Sequence, residues 1–275
     1  NSQSWYWDTA SPADAWRHSH NYEHHTFTNI RGKDRDLGYE IMRIDPHQKW
    51  HPVYLFQPLY NLLLMGFFEW GVAVHDLNSE AILSGEKPKA QVLEELKAIG
   101  AKARGQIVKD YIAFPLLSAA LAGRAGRRRA FKSTLAANFT ANIIRNVWAH
   151  SIIFCGHFPD QTYTFSEEEV AGETRGGWYV RQLLGAANID GGPLFHLLAG
   201  NLSFQVEHHL YPDMPSSRYA EIAPRVRDVC RRYQLPYNTG PLHKQLGTVH
   251  RTILRLAFPG GRARPKPGPY RPATG

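Results

Sequence analysis

The sequence predicts an all-α fold. Three observations carry that reading. Residues 87–109 show amphipathic helical periodicity, with Val92, Leu93, Leu96 and Ile99 on one side. Three further stretches are apolar and nearly free of charge: Pro52 to His75, Tyr111 to Gly123, and Leu135 to Phe158, the last interrupted by Arg145. Helix-start and helix-stop residues bracket the remaining segments. The 275 residues show no internal repeat. They read as one domain, 1–258, followed by a basic Pro/Gly tail, 259–275, that is expected to be disordered.

In chain order, Ser11 and Pro12 suit the cap and first turn of a helix that runs to about residue 30. Residues 31–50 are charged and polar and read as a loop. The apolar stretches follow, separated by the amphipathic helix. Pro212 and Pro215 close a short helix that ends in His208-His209. Ser216 or Ser217 caps a helix through Arg232, and a last helix covers about Leu242 to Leu256. A membrane helix needs about 20 mostly apolar residues. No stretch supplies a clean, charge-free 20, and mean hydropathy is −0.40. Hydropathy alone therefore leaves a soluble helical protein open.

Net charge is +8, with arginine-rich stretches at 124–132, 225–232 and in the tail. No nucleic-acid motif accompanies it. Lipid headgroups, coenzyme A phosphates or an acidic redox partner fit the charge better. Cys155 and Cys230 lack CxxC or zinc spacing, which argues against a disulfide framework and fits a reducing compartment.

Chemistry concentrates in two histidine clusters, His18-Ser-His20-Asn-Tyr-Glu-His24-His25 and Gln205-Val-Glu-His208-His209. Neutral imidazole is the commonest protein ligand for transition metals. On an α-helix, His20 and His24 share a face, as do Gln205, His208 and His209. Adjacent histidines diverge by about 100° around the helix. Each His-His pair can thus reach two neighbouring ions, one ring apiece.

The segment from Trp16 to Ile30 closely resembles the second histidine box of membrane fatty-acid desaturases. Asn201 to Pro212 resembles the third box, in the variant with glutamine at the first position. The resemblance extends over nearly the whole chain and is nearest to bacterial, especially actinobacterial, acyl desaturases. It implies an integral-membrane helical bundle with a cytosolic helical cap carrying a histidine-rich di-iron site. The expected metal ligands are His20, His24, His25, His157, His208 and His209, with Gln205 a weak ligand or neighbour and Asn201 a supporting residue on the same helical face. His157 enters because the family places a lone histidine at the box-side end of the helix before the third box. No catalytic side chain is expected beyond the metal ligands.

The family's first box is absent, and the chain opens at Asn1, so it is expected to be a fragment that is inactive alone. The resemblance implies two Fe ions and O2 as co-substrate. It further implies a CoA- or lipid-linked acyl substrate and a site facing the cytoplasm from a bacterial inner membrane. No GxGxxG loop, haem motif or iron–sulfur cysteine run is present, so electrons must come from a ferredoxin or an NAD(P)H-dependent reductase. Both boxes must face one side, so the chain crosses an even number of times between them. Tyr111–Gly123 with Leu135–Phe158 is the favoured hairpin, with 53–75 at the interface; crossing by 53–75 and 135–158, with 111–123 interfacial, satisfies the same parity. A hydroxylase on the same scaffold and a non-enzymatic metal-binding membrane protein are the rival readings.

Overall fold

The computed structural model describes residues 10–270. Its elements are mostly helical. Helix α1 (Ala13–Trp16) runs into a π-helical segment, Arg17–His24, and out again as α2 (His25–Phe27). After a loop come α3 (Gln57–Gly66), α4 (Phe68–His75), α5 (Ser79–Leu83) and α6 (Lys89–Ile107). A second π-helical segment, Val108–Ala113, joins α6 to α7 (Phe114–Leu121), and α8 spans Gly123–His157. The remainder comprises α9 (Arg175–Gly185), β1 (Asn188–Asp190), α10 (Pro193–Leu198), α11 (Gln205–Leu210), α12 (Tyr219–Arg232), β2 (Thr239–Pro241) and α13 (Leu242–Ala257).

Several expectations need correction. The first helix starts at Ala13 with no side-chain cap; the Ser11 hydroxyl donates instead to Asp76 (2.5 Å). Two short strands, unforeseen from sequence, pair in parallel with Ile189 opposite Gly240. The described residues cluster into two compact units. One holds residues up to His18 with Leu63–Trp148, the other Ser19–Leu62 and the chain from Ala149 onward.

The first unit is dominated by a helical hairpin. Its turn falls at Gly123, whose φ of +65° is a left-handed conformation that glycine adopts without penalty. Between the arms, Asn142 Nδ2 donates to Asp110 Oδ2 (3.1 Å) and to the Tyr111 hydroxyl (2.9 Å). Arg145 pairs with Glu69, whose backbone N–H donates to Asn146 Oδ1 (3.1 Å). Helix α8 has 35 residues, about 52 Å at 1.5 Å per residue. Its first third, however, carries Arg124, Arg127, Arg128, Arg129 and Lys132. Among the described residues no helix is long and apolar enough to cross a membrane. The stretch 53–75 is likewise broken at Phe67 into α3 and α4.

The second unit is built around α9, α11 and α12. Helix α12 buries Tyr219, Ala223, Val226 and Cys230 as a single helical stripe, and Val226 and Cys230 join Leu183, Leu184, Val206 and Leu210 in the core. Helix α13 buries Gln245, Val249, Thr252, Ile253 and Leu256 on the same periodicity. Its C-terminal carbonyls are closed by a buried arginine. Arg43 donates to the carbonyls of Leu256 (3.3 Å), Phe258 (3.1 Å) and Gly260 (2.8 Å).

The start of the tail makes side-chain contacts with the second unit. Arg264 lies over the Tyr163 ring and donates to Gln161 and to the Thr162 carbonyl. Lys266 pairs with Glu169 over Phe165, and the Tyr270 hydroxyl bonds Glu173 and the Gly177 carbonyl. Its polar residues find specific partners, which composition alone does not reveal. Residues 271–275 of the segment expected to be disordered lie outside the described residues.

Candidate metal centre

Six histidines from three chain segments converge within the second unit. The ligand nitrogens of His20, His25 and His208 lie within 4.8 Å of one another, and so do those of His24, His157 and His209. Each adjacent pair is thereby split: His24 and His25 serve different triads, as do His208 and His209. The two triads abut, with His25 stacked on His209 at 4.6 Å between ring centroids and His24 at 5.6 Å from His25.

The π-helical segment shapes this arrangement. An α-helix groups His20 with His24, but the i→i+5 period of a π-helix brings His20 towards His25. His20 still lies close to His24, at 4.9 Å, and Asp36 joins those two in a third group of mutually close ligand atoms.

The outer nitrogens are held by neighbours. His24 Nδ1 meets Asp34 (2.9 and 3.0 Å), His20 Nδ1 meets Asp36 (3.1 Å), and His208 Nδ1 meets the Tyr219 hydroxyl (3.1 Å). His209 Nδ1 lies 3.0 Å from Gln182 Oε1 and 3.3 Å from Thr28 Oγ1. Such partners fix the ring orientation and leave Nε2 as the ligand atom. Correspondingly, Nε2 of His24, His25 and His208 is buried without a hydrogen-bond partner. Buried polar nitrogens without partners are rare, and here their convergence is the donor set a metal cation requires. The residues therefore fit a metal pair.

Electrostatics agree. Burial, reinforced by the neighbouring imidazoles, holds His25 and His209 well below the ordinary histidine range and His208 down to about 3. These rings are neutral at physiological pH, the form that binds metal. Burial also lowers His20, against the opposing hydrogen bond from Asp36. Burial would lower His24 too, but the charge and hydrogen bond of Asp34 raise it on balance. Asp34 is itself fixed by the backbone N–H groups of Asn29 (2.6 Å) and Asp36 (3.0 Å). Replacing Asp34 by asparagine is expected to weaken metal binding about 10–100-fold in a chelator competition. Unchanged affinity would detach Asp34 from the centre.

The third-box helix is anchored independently. Asn188 Oδ1 accepts from the Val206 N–H (2.8 Å), while its Nδ2 donates to Glu207 Oε2 (2.8 Å). Glu207 is fully buried, and burial pushes its carboxyl up; it also accepts from Tyr237 (2.8 Å) and so is engaged away from the histidines. Gln205 Nε2 lies 2.9 Å from His157 Nε2 and 3.4 Å from His209 Nε2, with Oε1 buried and unpartnered. Asn201 is different. It sits in a turn before α11 with φ +60°, so the helical face it was expected to share with Gln205 does not form. His18 is exposed, and His150 is buried with Nε2 3.0 Å from Asn61 Oδ1.

Sequence reading missed Asp34, Asp36, Gln182 and Gly156. The first three are unremarkable polar residues whose approach depends on loop and tertiary geometry. Gly156 matters because α8 passes close to α11: a Cβ there would lie 2.7 Å from Gln205 Cγ. Gly156→Ala is expected to cost about 1–3 kcal/mol by overpacking and to displace Gln205. Denaturant titration and metal affinity together check this; full retention of both would mean α11 shifts freely.

Comparison with known proteins agrees with this site. The fatty acid desaturase family model matches residues 4–241, and the chain belongs to that family. Over 258 residues it is 44% identical to the NADPH-dependent stearoyl-CoA 9-desaturase of Mycobacterium tuberculosis, in strains H37Rv and CDC 1551. That match covers 94% of this chain and 59% of the relatives' length. An sn-1 linoleoyl-lipid 6-desaturase of Synechocystis is 25% identical over 235 residues, 83% of this chain and 62% of that protein. No solved structure matches.

Proposed function

We propose that this chain carries the metal centre of an oxygen-dependent fatty-acyl desaturase. The observation that carries the reading is the pair of abutting histidine triads, each drawing on both boxes. His20, His25 and His208 would hold one iron; His24, His157 and His209, with Gln205 beside them, the other. A bound iron pair supplies the redox chemistry needed to remove hydrogen from two unactivated carbons, with O2 reduced to water. The protein's own part is positional. Asp34, Asp36, Tyr219 and Gln182 set the imidazole orientations. Burial keeps most of the rings neutral and excludes water.

The M. tuberculosis relatives favour a saturated acyl-CoA substrate and electrons derived ultimately from NADPH. The Synechocystis relative makes a lipid-linked acyl chain the alternative. Membrane association fits both, with the centre on the cytoplasmic side. It is supported by leucines that face outward on α10, Leu194, Leu197 and Leu198, and on α3, Leu59 and Leu62.

Expression of the complete open reading frame in a bacterial host tests the reading. Gas chromatography with mass spectrometry should show a new unsaturated acyl chain, two hydrogens lighter than its parent, that disappears in the His208→Ala variant. An oxygenated product, or an unchanged profile with iron bound, would count against it.

A further inference from the structure

Resting on that reading, we infer that a basic cleft behind His157 is the docking surface for an acidic electron-donor protein, with the His157 imidazole as the entry point to the metal centre. The cleft lies within the second unit and has a volume of about 70 Å³. His157, at the end of α8, lines it, as do Thr252, Arg255, Arg262, Arg264 and Lys266.

Three observations point to an anionic partner. Arg255 and Arg262 are exposed and have no ion-pair partner among the described residues. Arg264 bonds only neutral groups, a glutamine side chain and a carbonyl, so its charge is uncompensated. The two carboxylates in the cleft are already engaged: Asp45 by Arg31, His47 and Thr164, and Asp160 by Arg251. Lys266 is neutralised by Glu169. The cleft therefore presents an excess of positive charge. Its lining also includes the Thr252 hydroxyl, buried and without a hydrogen-bond partner.

His157 differs from most of the other histidines of the centre. Asp36, Asp34, Tyr219 and Gln182 occupy the Nδ1 side of His20, His24, His208 and His209. His157 Nδ1 has no partner, while its Nε2 faces Gln205. This ring thus belongs to a triad and also lines a surface cleft.

A protein partner is favoured because Arg255, Arg262 and Arg264 all stand exposed at the rim, where a complementary acidic surface can meet them together. The chain's sequence supplies no redox cofactor motif of its own. Each double bond consumes one CH2–CH2 unit, O2, two electrons and two protons, and yields CH=CH and two waters. A one-electron donor is oxidised at each of two encounters. Complementary charge accelerates such encounters and makes them salt-sensitive.

The test uses protein from the complete reading frame and an acidic plant-type [2Fe–2S] ferredoxin as probe. Binding is measured by calorimetry with the metal-free and iron-loaded forms, and desaturation is driven separately by dithionite. Arg255→Glu/Arg262→Glu should weaken ferredoxin binding at least about tenfold at low ionic strength. The difference should vanish near 0.5 M salt, where screening reaches a few ångströms. Dithionite-driven turnover should be unchanged. Equal binding by wild type and variant would overturn the inference. So would binding of inorganic phosphate without ferredoxin, which would make the cleft a small-anion site. Loss of dithionite-driven turnover in the wild type would count against the desaturase reading instead, while the binding result still decides the docking surface.

Discussion

Replacing His209 by alanine is expected to abolish desaturation and to remove at least one of two bound irons. His209 is fully buried and belongs to the triad with His24 and His157, at ring-centroid distances of 5.0 and 4.8 Å. Its Nδ1 is fixed by Gln182 and Thr28, and its ring stacks on His25 of the neighbouring triad. Loss of a residue that only supports a ligand costs about 10–100-fold in affinity or activity. Loss of the ligand itself should exceed that, so turnover should fall by more than about 100-fold. Iron analysis and product profiling on the same preparation check the claim, with circular dichroism to confirm that the helices persist. A variant that keeps both irons and its turnover would remove His209 from the centre.

The largest expected effect on stability is at Arg181. Its guanidinium is buried, donates to the Thr28 carbonyl (2.9 Å) and Thr26 carbonyl (3.1 Å), and forms a two-pronged pair with Glu173 at 2.9 Å on both oxygens. These bonds close the end of the helix that carries His24 and His25. Adjacent Gln182 reinforces them by donating to the His25 carbonyl (3.0 Å) while meeting His209. Arg181→Met leaves a largely buried carboxylate and two carbonyls without their partner. Breaking such a pair costs about 3–5 kcal/mol. At roughly 2–4 °C per kcal/mol for a chain of this size, Tm should fall by about 6–20 °C. Adding Glu173→Gln should recover part of the loss, because the stranded charge is then gone. A shift below about 2 °C in the single variant would show that the clamp contributes little.

How much of the centre was legible follows from what is local. Adjacent histidines must diverge, so the division of His24 from His25 and of His208 from His209 between two sites was readable from spacing alone. The partner of His20 was harder to read. The α-helical period groups it with His24, whereas the π-helical segment brings it towards His25, and nothing in Arg17–His24 advertises that period. Asp34 and Asp36 reach the rings from a loop, and loop paths depend on tertiary contacts such as the Asn29 and Asp36 N–H bonds to Asp34. Asn201 failed for a related reason: the helix starts at Gln205, so a spacing of four had no helical meaning there.

The fold divides similarly. The boundaries of α6, α12 and α13 followed periodicity and stop signals to within a few residues. The contacts of Arg264, Lys266 and Tyr270 are with partners distant in sequence, Tyr163, Glu169 and Glu173, which local composition does not reveal. Membrane crossing by 111–123 and 135–158 rested on resemblance: the apolar helix α7 has only eight residues, and the long helix α8 carries arginines and asparagines.

The most direct measurement is iron quantitation with iron K-edge X-ray absorption on protein purified anaerobically from the complete reading frame. Two irons per chain are predicted, each in a shell dominated by imidazole nitrogen. His25→Ala and His157→Ala should each lower the imidazole count, at different irons. A single zinc, or iron whose imidazole shell survives both replacements, would contradict the convergence of the two boxes on a shared metal pair.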